Sequence, residues 1–173
     1  MITTRSIVRT TLTITLALLL LFTGCFITKF TLISPDKAKV DRAYCGDWDY
    51  VNTKGEHFVM AIRNIDDKMY YIDSRKEDSP DVSRFVGFIC DVKNATFAHV
   101  RGLTDDGSVA EEWIIMRLDL TGDKLGIRQL SDEFFKSHPV SSAEELRAVI
   151  EKNMGDNAMY DKEETVTATR IPR

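Results

Sequence analysis

Short runs of alternating apolar and polar residues, divided by turn signals, make up most of the chain after Tyr44. Side chains of a β-strand point alternately to its two faces, so a strand with one buried face alternates apolar and polar residues. Phe58, Met60 and Ile62 follow this period, and residues 114–120 repeat it. The turn signals recur at intervals of about ten residues, which is typical of an antiparallel barrel or sandwich. The sequence therefore predicts a mainly β domain.

Turn residues separate seven predicted strands. Asp105-Asp106-Gly107 is the clearest hairpin signal, because glycine adopts the positive φ that tight hairpin turns require. The predicted strands cover residues 45–51, 57–65, 69–73, 85–92, 96–103, 112–120 and 125–130. The predicted inward-facing set includes Trp48, Phe58, Met60, Ile62, Phe88, Ile114, Met116 and Leu118 of the strands, with Leu146 and Ile150 of the helix that follows them.

The period changes beyond residue 131, where helical structure is predicted before a final strand. Ser142 and Glu145 have the spacing of a capping box, in which the two residues satisfy backbone donors at a helix start. The helix that they begin carries an apolar stripe at helical spacing. β-branched residues alternate again over residues 165–171, so the fold is predicted to end in a last strand. The helix is expected to pack on or across the β domain through Ala143, Leu146, Val149, Ile150 and Met154.

The first 25 residues have the features of an export signal. Two arginines near the start form a positive region, residues 12–22 form an apolar run, and Thr23-Gly24 directly precedes Cys25. The apolar run is too short to span a bilayer comfortably. The whole segment resembles the lipobox signal of bacterial lipoproteins, from which it departs at Phe22, where that family usually has Leu.

This resemblance implies that a signal peptidase removes residues 1–24 and that the thiol of Cys25 carries a diacylglyceryl group, often with a further acyl chain on the new amine. One acyl chain binds a membrane reversibly, whereas two or three hold a protein there. Phe26, rather than Asp, follows Cys25, which by the same resemblance implies the periplasmic face of the outer membrane. The alternative is an uncleaved spanning helix over residues 12–33. Both interpretations place the bulk of the chain outside the cytoplasm.

The chain is thus predicted to consist of a signal peptide (1–24), a lipidated N-terminus and tether (25–43), and a single β-rich domain (44–173). Removing the signal peptide takes away two arginines and no acid, so the net charge changes from −4 to −6. A mildly acidic domain without a cluster of Lys and Arg argues against nucleic acid as a partner.

Cys45 and Cys90 remain once lipid is assigned to Cys25. An even pair of cysteines in an oxidising compartment can form a disulfide, and two separate small core residues are the alternative. Their spacing matches no zinc motif, so no metal is predicted.

Gly46-x-Trp48 at the first strand resembles the opening of lipocalin-type barrels, in which the Trp plugs the closed end. A plain buried Trp is the alternative interpretation. An antiparallel barrel that its own side chains do not fill can accept an apolar guest. The candidate walls of such a cavity are Trp48, Phe58, Met60, Phe88 and Met116.

The three histidines, His57, His99 and His138, match no nucleophile or metal-ligand pattern, and no cofactor is predicted. The expected function is that of a membrane-tethered envelope lipoprotein acting as a non-enzymatic binding domain, with an envelope protein or an apolar ligand as partner. A structural or assembly lipoprotein with no ligand is the alternative. An enzyme is the third hypothesis, and a cleft joining His99 to an acid would favour it.

Overall fold

The computed structural model describes residues 25–172, which form a closed antiparallel barrel of eight strands with helices on its outside. The predicted signal peptide, residues 1–24, lies outside the described residues. The strands are β1 (Ile27–Thr28), β2 (Gly46–Val51), β3 (His57–Asn64), β4 (Tyr70–Lys76), β5 (Val82–Val92), β6 (Ala95–Leu103), β7 (Trp113–Thr121), β8 (Lys124–Leu130) and β9 (Tyr160–Arg170). The α-helices are α1 (Asp132–Ser137) and α2 (Ala143–Asn153).

Strands β2 to β8 run up and down, each paired with its neighbour in the chain, and β9 closes the barrel. It pairs with β8 on one side and with β2 on the other, where Arg170 stands opposite Trp48. The two-residue strand β1 is an addition that pairs with the start of β7. The predicted mainly β fold, with seven strands, helical structure and a last strand, is confirmed, and the barrel rather than the sandwich is formed.

Two apolar cores lie on opposite faces of the barrel wall. The inner one contains the alternating residues predicted from the sequence, such as Trp48, Met60, Ile62 and Leu118. The outer core fills the space between the wall and the helices, and includes Phe97, Ile115, Leu146 and Ile150. The helix therefore packs on the outside of the barrel, as predicted, and covers β5, β6 and β7.

The predicted orientation of β5 is wrong. Phe88 was expected to face inward, but Phe85 and Gly87 stand opposite Ile72 and Tyr70 on the inner face. Phe88, Cys90 and Val92 consequently face the outside, where the helices and the N-terminal segment bury them. Since both faces of this strand are buried, the apolar period of two does not indicate which face is inner.

Residues 25–43, interpreted from the sequence as a tether, pack against the barrel. Phe26 and Leu32 are buried in the outer core, and the ring of Phe26 stacks on Phe135 at 3.9 Å between centroids. The backbone N–H of Leu32 donates to Nε2 of His99 at 3.1 Å. Residues ahead of Tyr44 therefore contribute to the core that covers the barrel.

Local signals position the remaining elements. The hydroxyl of Ser142 accepts a hydrogen bond from the backbone N–H of Glu145 at 3.1 Å, which confirms the predicted start of α2. Gly122 connects β7 to β8 with φ of +57°, a conformation that costs glycine little. Among residues 25–172, no helix is long and apolar enough to cross a membrane.

Candidate ligand cavity

The interior of the barrel contains a cavity of about 450 Å³. Ligand pockets in proteins measure about 300–1,000 Å³, so this one has room for a small molecule or part of a larger one. Its central walls are apolar, because the inner side chains of every strand converge there. These walls include Met60, Ile62, Ile72, Phe85, Ala98, Val100, Ile114, Met116, Leu118, Leu125, Ile127 and Val166. Ile114 and Met116 remain partly exposed although they face inward.

One end of the barrel, where β2 begins and β9 ends, is sealed; we call it the closed end. The guanidinium of Arg170 lies 4.2 Å from the ring centroid of Trp48, which is fully buried. A 3-10 turn, Arg42–Tyr44, crosses this end, and the Tyr44 carbonyl accepts a hydrogen bond from the Trp48 indole at 3.0 Å. A Cβ at Gly46 would stand 2.5 Å from the Arg170 guanidinium, so a side chain there would displace the arginine.

The opposite end, where β2 ends and β9 begins, is the mouth of the cavity. Its lining is polar, unlike the centre, and the hydroxyls of Tyr50 and Ser74 are hydrogen-bonded at 3.2 Å. The other polar groups at the mouth belong to Asn52, Ser83, Gln129 and Glu164. An apolar depth beneath a polar rim suits an amphipathic molecule that enters with its apolar part first.

Gln129 is the most buried of these polar residues, with 8% of its surface exposed. Gln129 lines the cavity, and among residues 25–172 its Nε2 meets only the Cys25 thiol, which is a weak acceptor. A buried donor that is left unpaired costs about 1–3 kcal/mol. A ligand carrying an oxygen acceptor at this depth would recover that free energy.

Cys25 also lines the mouth. It bridges to Ser131 at the end of β8, and the N–H of the next residue, Phe26, donates to the Leu130 carbonyl at 3.2 Å. Burial raises the pKa of the Cys25 thiol to about 11; the Gln129 amide beside it acts in the opposite direction, and the carboxylate of Glu164 raises the pKa further. The predicted lipidation site is therefore held at the entrance of the barrel.

A second, shallower depression of about 1,110 Å³ lies beside the mouth. It shares Cys25 and Glu164 with the barrel cavity, so the two are adjacent. Its other carboxylates belong to Asp132, Glu133, Asp156, Asp161 and Glu163, against the ammonium groups of Lys54, Lys136 and Lys162. The surroundings of the mouth are therefore acidic.

No protein family, curated protein or solved structure matches this chain. The fold itself is consistent with a lipocalin-like barrel, the coarser part of the resemblance seen at Gly46-x-Trp48. In this barrel Trp48 lies at the closed end, where the resemblance places it.

The five predicted cavity residues have three different positions. Phe58, Met60 and Met116 line the cavity. Trp48 is buried at its closed end, beneath Arg170. Phe88 belongs to a strand that lines the cavity, but its ring points to the outside of the barrel. There it stacks on the ring of His99, with centroids 4.6 Å apart.

Sequence reasoning missed Tyr50, Gln129 and Glu164 as mouth residues. Each of them has a signal that could have identified it. Tyr50 is in phase with Trp48, Gln129 with Leu125, and Glu164 with Ala168, so the period of two places all three inside the barrel.

The histidines do not form a catalytic group with one another. His99 is fully buried on the outer face of the barrel, where burial lowers its pKa to about 3. Its ring stacks on Phe88 and lies edge-on to Trp113, and its Nδ1 has no hydrogen-bond partner within the described part of the chain. His57 contacts Asp49 and Glu77 at the surface, and His138 stacks on Phe134 at the end of α1.

Cys45 and Cys90 are not brought together. Cys90 belongs to the outer core, Cys45 packs against the inner core, and the thiols of both are free. Within residues 25–172 no cluster of three or more His, Cys, Asp or Glu side chains could hold a metal ion.

Proposed function

We propose that this protein is a membrane-tethered envelope lipoprotein whose barrel is a non-enzymatic binding domain for an apolar ligand. The lipid on Cys25 attaches the protein to the membrane, by the lipobox resemblance at the periplasmic face of the outer membrane. The barrel supplies the binding site.

The observation that carries this proposal is the 450 Å³ cavity with apolar walls and a polar mouth. Protein interiors are normally close-packed, because unfilled space loses dispersion contacts. A cavity of this size inside a barrel of eight strands therefore supports a role in binding.

A structural or assembly lipoprotein with no ligand is the second candidate. The cavity favours the first candidate, since a barrel without a ligand would gain stability from a filled interior. If the protein has this structural or assembly role instead, the acidic surface around the mouth is where an envelope protein could dock.

Binding can be tested with N-phenyl-1-naphthylamine, an uncharged apolar dye whose fluorescence increases in apolar surroundings. We expect the barrel domain, residues 25–173 produced without residues 1–24 and therefore without lipid, to bind this dye saturably with a stoichiometry near one. Ala98→Phe should abolish binding, because Ala98 is a small residue of the cavity wall and the added ring would occupy the space. Circular dichroism of the variant checks that the barrel still forms.

Val82→Phe is the matched control, since Val82 is exposed at the start of β5 and is next in sequence to the inward-facing Ser83. It adds the same aromatic ring outside the barrel and should leave dye binding unchanged. Equal binding by Ala98→Phe and the unaltered protein would contradict a ligand site in the cavity.

The lipid anchor has its own test. Mass spectrometry of the N-terminal peptide should show a mature protein that begins at Cys25 and carries acyl chains. Cys25→Ala should block both the attachment of lipid and the cut before residue 25. Normal cleavage and membrane association of Cys25→Ala would refute the lipoprotein assignment.

A further inference from the structure

We propose that one acyl chain of the lipid attached to Cys25 occupies the barrel cavity of the same molecule. The carbonyl group at the root of that chain accepts a hydrogen bond from Gln129. This inference rests on the proposed lipidation of Cys25, and it identifies the ligand of the proposed binding site.

The position of the anchor is the first observation. Cys25 lines the cavity mouth, and the bridge to Ser131 and the hydrogen bond from Phe26 to Leu130 hold it there. Residues 26–38 then pack on the outside of the barrel, so no flexible spacer separates the anchor from the entrance. A lipid on the Cys25 sulfur leaves the protein at the point where the cavity opens.

The unpaired amide of Gln129 is the second and independent observation. Its side chain is more than nine-tenths buried and lies beside the Cys25 thiol at the mouth. Its Nε2 meets only that thiol, a weak acceptor, and has no other partner in the described part of the chain. A diacylglyceryl group carries two ester carbonyls, each a hydrogen-bond acceptor close to the sulfur. An ester held at the mouth would pair this donor while its hydrocarbon chain entered the apolar depth.

The charges at the mouth select against other lipids. Glu164 lines the cavity, and the neighbouring depression contains further carboxylates. A free fatty acid or an anionic head group would bring a like charge to this place, which is unfavourable. An ester of glycerol is uncharged and meets no such repulsion.

Covalent attachment adds a large kinetic and thermodynamic advantage. A ligand joined to its own site has an effective concentration in the millimolar range for a short connection, and no translational freedom is lost when it binds. The remaining acyl chains are left for the membrane, and two chains are enough for stable anchoring.

The test uses the full chain, expressed in bacteria that are fed a palmitate analogue with a diazirine near its methyl end. Ultraviolet light converts the diazirine into a carbene that inserts into whatever surrounds the chain. We expect the digested protein to contain the Cys25 peptide joined through its acyl chain to peptides of β3, β6 or β7, which hold Met60, Ala98 and Met116.

Three variants make this result specific. Ala98→Phe fills the cavity and should abolish the internal cross-link, whereas Val82→Phe on the outside should leave it unchanged. Gln129→Leu removes the amide donor at similar volume and should lower the ratio of occupied to empty barrels about fivefold, the effect of losing one hydrogen bond, with a matching decrease in cross-linking. Cross-linking that is insensitive to Ala98→Phe would overturn the proposal.

The same experiment identifies the source of the acyl chain in the cavity. If barrel peptides are joined to an unattached phospholipid instead of the Cys25 peptide, a membrane lipid occupies the cavity, and this inference is wrong although the binding function stands. If the Cys25 peptide is lipidated but cross-links to nothing inside the barrel, this inference is equally wrong. A Cys25 peptide without lipid would refute the lipoprotein assignment itself.

Discussion

The guanidinium of Arg170, in the last strand, covers the indole ring of Trp48, in the first strand of the barrel, at 4.2 Å from its centroid. The same guanidinium donates hydrogen bonds to the carbonyls of Cys45 and Ala43. One side chain therefore joins the closing strand, the plug of the closed end and the 3-10 turn that crosses it.

Arg170→Ala should lower the free energy of unfolding by about 2–3 kcal/mol, since it removes a cation–π contact and leaves the partly buried Cys45 carbonyl without its donor. Urea unfolding followed by tryptophan fluorescence measures this change. Arg75→Ala is the control, because Arg75 is exposed on β4 and its loss should cost less than about 0.5 kcal/mol. Equal effects of the two substitutions would show that Arg170 does not hold the closed end.

His99 should make the fold sensitive to acid. Burial lowers its pKa to about 3, below the ordinary value of 6.5, so the unfolded chain takes up a proton first as the pH falls. The free energy of unfolding is therefore unaffected by the titration of His99 above pH 6.5. Between pH 6.5 and 3 it decreases by about 1.4 kcal/mol per pH unit, because the unfolded chain binds one more proton than the folded chain. His99→Gln retains an acceptor for the Leu32 N–H but does not titrate, so its unfolding free energy should vary less over this range.

The exposed His138 supplies the control for this experiment. His138→Gln makes the same substitution at an exposed position, and its effect on the pH dependence of unfolding should be smaller than that of His99→Gln. Parallel pH profiles for His99→Gln and the unaltered protein would contradict the prediction.

His57 should titrate above an ordinary histidine. The hydrogen bond to the Glu77 carboxylate raises the pKa of His57, and Asp49 on the other ring nitrogen raises it further. The two carboxylates stabilise the folded protein through the protonated form of His57. This stabilisation is complete below pH 6.5 and is lost as the pH rises through the pKa of His57 in the folded protein. Titration of the imidazole signals by NMR should show that Glu77→Gln lowers the pKa of His57, whereas Glu144→Gln on α2 leaves it unchanged.

Cys90 should resist alkylation in the folded protein. Burial raises the pKa of its thiol to about 12, so almost no reactive thiolate exists at pH 8. Iodoacetamide should label the half-buried Cys45 first and Cys90 after unfolding in urea, as peptide mass spectrometry can show. Two thiols that stay unlabelled in urea until a reductant is added would show that Cys45 and Cys90 form a disulfide.

Several features of the fold were predictable from local residue patterns. Met60, Ile62 and Leu118 face the barrel interior, as the apolar period of two in their strands predicts, and Ser142 begins α2 because its hydroxyl caps the first turn. These features depend on neighbours a few residues away, which a sequence displays directly.

The sequence by itself thus determined the class of fold, the order of its elements and a cysteine with the surroundings of a lipidation site. The tertiary structure alone decided that Phe88 faces outward, that residues 26–38 cover the barrel, and that Cys25 meets Gln129 at the mouth. Both faces of β5 are apolar, so its orientation depends on the register with β4 and on the segments that cover it. Cys25 and Gln129 are distant in sequence, and the pairing of the N-terminal segment with the end of β8 brings them together. Such long-range contacts are set by packing rather than by local propensity.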